Sequence, residues 1–469
     1  MNRVFVFCIG GTGLRVMKSI TMLRAAGMDA SGYTIVPILI DPHMDLEERR
    51  KLQTLIDDYE AVYSSLTLSE GKRLNPIRGF FGTDIASLAR ISGQQNDISE
   101  PFAEKRSFGQ YLNVGTLNSR DVNWCLVHTM FSQANLDNDL SVGFKGSPNV
   151  GTVVLGDMIS GADWFQTFCS NCQKGDRVFI ISSIFGGTGA SGYPLLEKKV
   201  RNSTDHPNVR EAVMGAVSVL PYYSLDDPST TDSDIDSSNF LTKTKAALAY
   251  YEGSVLSDYL YYVGEQSMKT MYANDENKQE DKAHFIELVA ATALFDFLSK
   301  TDKPEKPQAL SRAIKDDVES LSFYSLGDAY KDVVKAVADM MLLSRLVYLL
   351  PNESQFPLSK NRGFNEDFYQ GKSYVCLQKF LERFVQWYKE LAENKRGFAP
   401  LTIANIENRK VKLSNWIQDF TLDAKDESYY LLEMIRAGNR DKDDTHALKF
   451  RRFLDYAYQA IDKYTAKIM

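Results

Sequence analysis

Arg177-Val178-Phe179-Ile180-Ile181-Ser182, followed by Gly186-Gly187-Thr188-Gly189-Ala190-Ser191-Gly192 and then by a helical pattern from Tyr193 to Val200, decides the fold class of this chain. A near-continuous apolar run is what a strand buried on both faces requires, and such strands belong to parallel sheets covered by helices. The glycine-rich turn between strand and helix leaves backbone N–H groups pointing outward at a helix N-terminus, where the macrodipole favours an anion.

The chain opens with a second turn of this kind. The strand Arg3 to Ile9 runs into Gly10-Gly11-Thr12-Gly13-Leu14-Arg15 and a helix from about Leu14 to Ala26. Two glycine turns at the carboxyl ends of strands in one sheet are placed to hold a polyphosphate between them, with Thr12 and Thr188 adding hydroxyl donors. The plain alternative is a pair of tight strand-to-helix turns. From Gly11 the spacing puts Val16 where a third glycine would complete a dinucleotide fingerprint, and no Gly-Lys-Ser/Thr follows to make a Walker A loop. A dinucleotide-dependent oxidoreductase is therefore the weaker alternative.

Working outward, further strands are expected at Tyr33 to Ile40, Gly151 to Leu155, Val213 to Leu220 and Asp258 to Val263. Between the second and third strands, residues 45–149 are too many for a simple connection and must hold helices, such as Leu46 to Ser64 and Ser119 to Ala134. Residues 284–298 are apolar nearly all round, as in a helix buried between two layers. Pro304 and Pro307 suggest a boundary, dividing residues 1–300 from a mostly helical domain at 309–469 with helices at Asp328 to Leu350, Tyr374 to Asn394, Glu427 to Ala437 and Thr445 to Ile468.

Composition narrows the classes. The 469 residues carry 54 Lys+Arg against 61 Asp+Glu, a net charge of −7, with 25% charged and 44% apolar residues, which describes a soluble globular chain. No basic surplus indicates nucleic acid as a partner. The longest apolar candidate for a membrane span, Met340 to Leu350, is broken by Ser344 and Arg345, and the N-terminal apolar run is too short for a signal peptide. The expectation is a cytoplasmic protein with reduced cysteines. Cys169 and Cys172 form a lone CxxC without the two further ligands of a structural zinc site.

Gly175-Asp176-Arg177-Val178-Phe179-Ile180, then Phe185-Gly186-Gly187-Thr188-Gly189-Ala190-Ser191 and Pro194, resembles the strand and signature loop of the tubulin/FtsZ superfamily, whose pattern is GGGTG(S/T)G. The first and last glycines of that pattern are absent. Residues 1–41 and 150–300 carry the likeness, which is to divergent prokaryotic tubulin-like proteins more than to FtsZ. The resemblance implies an α/β fold: a tubulin/FtsZ-like nucleotide-binding domain with a mostly parallel sheet and a central helix. It implies GTP/GDP with Mg2+ as cofactors, held by Gly10, Gly11, Thr12, Gly13, Gly186, Gly187, Thr188, Gly189 and Ala190, with Asp41 near phosphates and metal. It also implies head-to-tail self-assembly into filaments, in which a loop after the central helix completes hydrolysis in the next subunit.

That loop falls near Ser325 to Val333, where Asp328 and Asp332, one turn apart, are the candidate catalytic acids that orient and polarise a water. Acids at a helix start are otherwise caps or dipole partners. Where FtsZ has an Asn that helps to recognise guanine, this chain has Leu14-Arg15, so Arg15 either reaches a phosphate or sits in an ion pair. Phe285 either stacks on the base or packs in the core, and His284 or Asp281 is placed to bond the base edge. The alternative function on the same fold is a nucleotide-binding regulator that neither polymerises nor turns over.

Overall fold

Six strands lie side by side and all run parallel: β1 (Arg3–Ile9), β2 (Thr34–Ile40), β3 (Arg177–Ser183), β4 (Val213–Val219), β5 (Tyr259–Glu265) and β6 (Gln308–Ile314), in the spatial order β6-β5-β4-β3-β1-β2. The computed structural model describes residues 2–42, 47–69, 72–73, 79–93, 106–144, 146–225, 240–254, 256–266, 270–272, 282–314, 321–349, 364–394, 397–401, 433–438 and 449–466. From β1 the chain moves one way to β2, and from β3 it moves the other way to β4. The strand order therefore reverses between β1 and β3, the place in an open α/β sheet where a crevice forms outside the carboxyl ends. β1 and β3 are paired directly, from Val4 with Arg177 to Cys8 with Ile181.

Helices cover both faces. α1 (Gly10–Ala25) and α2 (Glu47–Thr67) share one face with α6 (Phe285–Ser299), the crossover between β5 and β6. On the other face α3 (Pro148–Gly161) packs along α4 (Gly187–Arg201), with α5 (Phe240–Ser254) beside them. The expected strand Gly151 to Leu155 lies inside α3. Its β-branched run Thr152-Val153-Val154 reads as a strand, but Pro148 opens a helix at its first position. Gly151 then lets the helix close on α4: a Cβ there would stand 2.3 Å from Ser191 Oγ.

A third helical layer, α7 (Tyr330–Leu349), α8 (Lys372–Glu393) and α9 (Lys449–Thr465), lies outside α1 and α2. α8 carries the aromatic stripe Phe380, Phe384, Trp387 and Tyr388 into the core. Its charged edge bridges inward, Glu390 to Lys18 at 2.8 Å and Arg383 to Asp58 at 2.7 Å. Tyr458 of α9 closes over Phe80 with ring centroids 5.5 Å apart. The boundary expected at residue 300 does not end the sheet, because β6 follows it. β6 is an edge strand with six of seven residues exposed, so its mixed sequence Gln308-Ala309-Leu310-Ser311-Arg312-Ala313-Ile314 carries none of the apolar signal that marks the inner strands. Helical residues 433–438 fall within the expected helix Glu427 to Ala437 and run one residue past it. Among the described residues no helix is long and apolar enough to cross a membrane. Cys169 and Cys172 pack in the core, and burial pushes their thiols up to about 11 and about 12.

The seam between α7 and α9 is held by Lys335, whose Nζ lies 2.5 Å from Asp339 Oδ2 and 2.9 Å from Asp462 Oδ1. Burial pushes the Asp339 carboxyl up to about 6, and Lys335 only partly offsets this. Partial burial opposes the Lys335 charge, but Asp339 and Asp462 outweigh it and its pKa rises. A carboxyl whose folded pKa is raised binds its proton more tightly in the folded state. Its contribution is therefore most favourable below the unfolded value and is lost as pH rises to about 6. Asp339→Asn takes this titrating group away and leaves Lys335 paired with Asp462. It is expected to flatten the stability change between pH 4.5 and 6.5, read by denaturant unfolding. An unchanged pH profile in the variant would show that Asp339 titrates as it does in the unfolded chain.

Candidate functional site

Both glycine turns are helix first turns rather than loops preceding helices, since α1 begins at Gly10 and α4 at Gly187 with Gly186 as its N-cap. Glycine reads as loop because of its low helix propensity, yet here the helices must seat on strand ends. A Cβ on Gly13 would lie 2.7 Å from the Cys8 carbonyl carbon, and one on Gly189 2.5 Å from the Ser183 oxygen. These two glycines are packing requirements. Gly10, at φ +70°, would bring a Cβ 3.4 Å from the Cβ of Thr188, so the two turns touch across the β1/β3 boundary.

First-turn N–H groups have no acceptor in their own helix, and Gly11 and Thr12 of α1 and Gly187, Thr188 and Gly189 of α4 are in this position. Ala190 is not: its N–H donates to Gly186 O at 3.2 Å. Gly11 borders open space, where an added Cβ would meet only Arg15 Nη1, at 3.5 Å. Asp41 follows Ile40, which pairs with Ile9, so this buried residue follows β2 at the level where Gly10 follows β1. Among the described residues no three acidic, His or Cys side chains are gathered as a metal site. A cation held on phosphates ordinarily takes one or two protein carboxylates, and Asp41 is the buried carboxylate that follows β2.

A third turn joins these two. Phe144, Gly146 and Ser147 precede α3 and lie against Gly187, whose Cβ would stand 3.0 Å from Phe144 Cβ and 3.1 Å from both Gly146 N and Ser147 N. The N-termini of α1, α3 and α4, helices of 16, 14 and 15 residues, therefore meet at the carboxyl ends of β1 and β3. Sequence reasoning missed this turn, although Gly146-Ser147-Pro148 is a recognisable helix-start signal.

Beneath the first turn lies a buried polar network. Arg15 Nε is 2.7 Å from Glu287 Oε1, and its Nη2 donates to Tyr222 Oη at 3.1 Å. Tyr222 in turn donates to Glu287 Oε1 at 2.7 Å. Glu287 Oε2 accepts from the N–H of His284, the N-cap of α6, whose Nδ1 accepts from Ile286 N. Burial pushes the Tyr222 hydroxyl well up, with Glu287 adding to the rise and Arg15 opposing it, and so keeps it a neutral donor. Arg15 thus takes the ion-pair alternative, while His284 is engaged as a cap. Phe285 is buried against Phe398, with ring centroids 5.0 Å apart, so it packs in the core. Phe185, just before the second turn, packs on Tyr222, Tyr223 and Phe240. Asp281 lies outside the described residues.

Asp328 and Asp332 are exposed and stand elsewhere. They line a cleft of about 850 Å3 with Gly27 and Met28, beyond the C-terminal end of α1, and with Asp296 and Lys300 at the C-terminal end of α6. The 16 residues of α1 separate this cleft from the glycine turns by about 24 Å at 1.5 Å per residue. Within one chain these acids do not reach the glycine turns.

No family model and no curated protein matches this sequence. Among solved structures, CetZ from Methanosaeta thermophila strain DSM 6194 aligns with 71% of this chain at 13% identity and a TM-score of 0.25. The aligned region spans 59% of that protein. The fold is defined by the strand order and helix packing of the chain itself.

Two substitutions separate the roles of the glycines. Gly189→Ala is expected to cost about 1–3 kcal/mol in unfolding experiments, because its Cβ meets strand backbone. Gly11→Ala has room and is expected to keep the parent melting temperature within a degree or two; equal losses in both would contradict this assignment. Glu287→Ala, which removes the carboxylate paired with the buried Arg15 guanidinium, is expected to destabilise by about 3–5 kcal/mol. A loss below about 1 kcal/mol would show that water replaces the carboxylate.

Proposed function

We propose that this chain is a tubulin/FtsZ-like GTP-binding protein that self-assembles head to tail and completes hydrolysis between subunits. The observation that carries this reading is the meeting of three helix N-termini at the strand-order reversal, with the acid pair at the opposite end of α1. The N–H groups of Gly11, Thr12, Gly187, Thr188 and Gly189 would hold the phosphates, helped by the hydroxyls of Thr12 and Thr188, and Asp41 would bind Mg2+. Asp328 and Asp332 of one copy would face the phosphate end of the next when copies stack along α1, where a carboxylate orients the attacking water. Mg2+ would supply charge neutralisation at the phosphates.

The test is equilibrium binding of GTP, ATP and GDP with Mg2+, with light scattering and phosphate release followed in the same samples. The expected result is GTP-selective binding, scattering that depends on GTP, and a rate per molecule that rises steeply with protein concentration. Asp328→Ala and Asp332→Ala are expected to keep binding and lower turnover by about 10²–10⁴, the usual contribution of a positioned acid or base. A rate per molecule that stays flat with concentration would exclude hydrolysis between subunits. Binding without scattering would favour the non-polymerising regulator, and tight NAD(P)H binding the oxidoreductase.

A further inference from the structure

The cleft of about 850 Å3 that holds Asp328 and Asp332 is bounded by α6 and α7, and five acidic and three basic side chains line it. The three cations are already engaged. Lys300 lies 3.1 Å from Asp296, Arg312 donates to the Ser325 carbonyl at 3.3 Å, and Lys335 bridges Asp339 and Asp462. Of the acids, Asp296 also accepts from Tyr261 Oη at 2.6 Å, and Asp29 accepts from the N–H of Ser31 at 2.9 Å. Among the described residues no cation pairs with Asp328 or Asp332.

Asp339 is the group that points to a ligand. It lines the cleft at 2% exposure, its Oδ2 holds Lys335, and its Oδ1 has no hydrogen-bond partner. Thr465 stands beside it, but its hydroxyl donates to Ile461 O at 3.0 Å. A buried carboxylate oxygen without a donor is costly, and Lys335, shared with Asp462, leaves the three groups one positive charge short. An ammonium group on Oδ1 would supply both the donor and the charge. Asp332 and Asp339 are seven residues apart on α7, two turns along one face, a separation of about 10 Å at 1.5 Å per residue. Among the described residues no three acids gather around one point, so the spacing suits separated cations rather than a single metal ion. Val289, Ala293, Leu326 and Ala336 supply apolar wall for the methylenes that would join them.

We propose that this cleft binds a linear aliphatic polyamine, with one ammonium group on Asp339 Oδ1 and another on Asp332. The site needs no nucleotide and stands at the opposite end of α1 from the glycine turns.

The experiment titrates the nucleotide-free chain with spermidine by calorimetry at physiological ionic strength, with Mg2+ and 1,3-diaminopropane as comparisons and thermal unfolding as a check on folding. The expected result is one saturable site for spermidine, with binding at least tenfold weaker in Asp332→Asn and in Asp339→Asn. Binding of 1,3-diaminopropane is expected to be at least tenfold weaker too, because its ammonium groups are too close together to span the two acids. Asp332 is exposed, so its variant tests the site even if Asp339→Asn is unstable. A chain of net charge −7 attracts any polycation weakly, and this is the rival explanation. Spermidine binding that is unchanged in Asp332→Asn, that equimolar Mg2+ displaces, or that never saturates would overturn the proposal.

Discussion

The fold depends on two places where a helix starts directly on the end of a strand with no side chain between them. Gly13 stands over the Cys8 carbonyl and Gly189 over the Ser183 carbonyl, each closer than a Cβ allows. That closeness sets the first turns of α1 and α4 beside each other, because β1 and β3 are neighbours in the sheet. A helix start leaves donors without acceptors, and two such starts side by side concentrate them. The same glycines that close the packing thus open the polar surface.

The donor-rich region is stiffened from below and from the side. Below it, the Arg15–Glu287 pair ties the first turns of α1 to the N-cap of α6, with Tyr222 bridging the two. An ion pair this deeply buried is weak evidence for stability as such, since desolvation offsets most of the attraction. Its consequence is geometric: the start of α6 cannot shift without uncovering a charge. From the side, the turn before α3 closes on Gly187, and α5 holds that turn through Lys243.

The outer helices have a different relation to the sheet. α8 and α9 meet α1, α2 and the Phe80 turn through both apolar contact and ion pairs, so the C-terminal part of the chain covers one helical face of the sheet. The exposed edge strand β6 and the cleft holding Asp328 and Asp332 lie near the junction between the two regions. The ends of α1 therefore carry opposite chemistry, donors at one end and carboxylates at the other, separated by the length of one helix.

Much of this was legible in the sequence because it rests on local rules. Five of the six strands are marked by short apolar runs, the buried all-apolar character of residues 284–298 marks α6, and both glycine turns announce themselves by composition. The sequence by itself also determined that Arg15 had two alternative fates and Phe285 two. Only the tertiary structure chose between them, because a partner such as Glu287, 272 residues away from Arg15, or Phe398, 113 residues away from Phe285, leaves no periodic trace near either residue. The same reason explains the misassigned strand inside α3, where β-branched propensity was overridden by packing on α4, and the missed strand β6, whose exposure removes the apolar pattern. It also explains the third turn: its contacts with Gly187 on one side and with Lys243 on the other are properties of how three helices are brought together, and no local spacing encodes them.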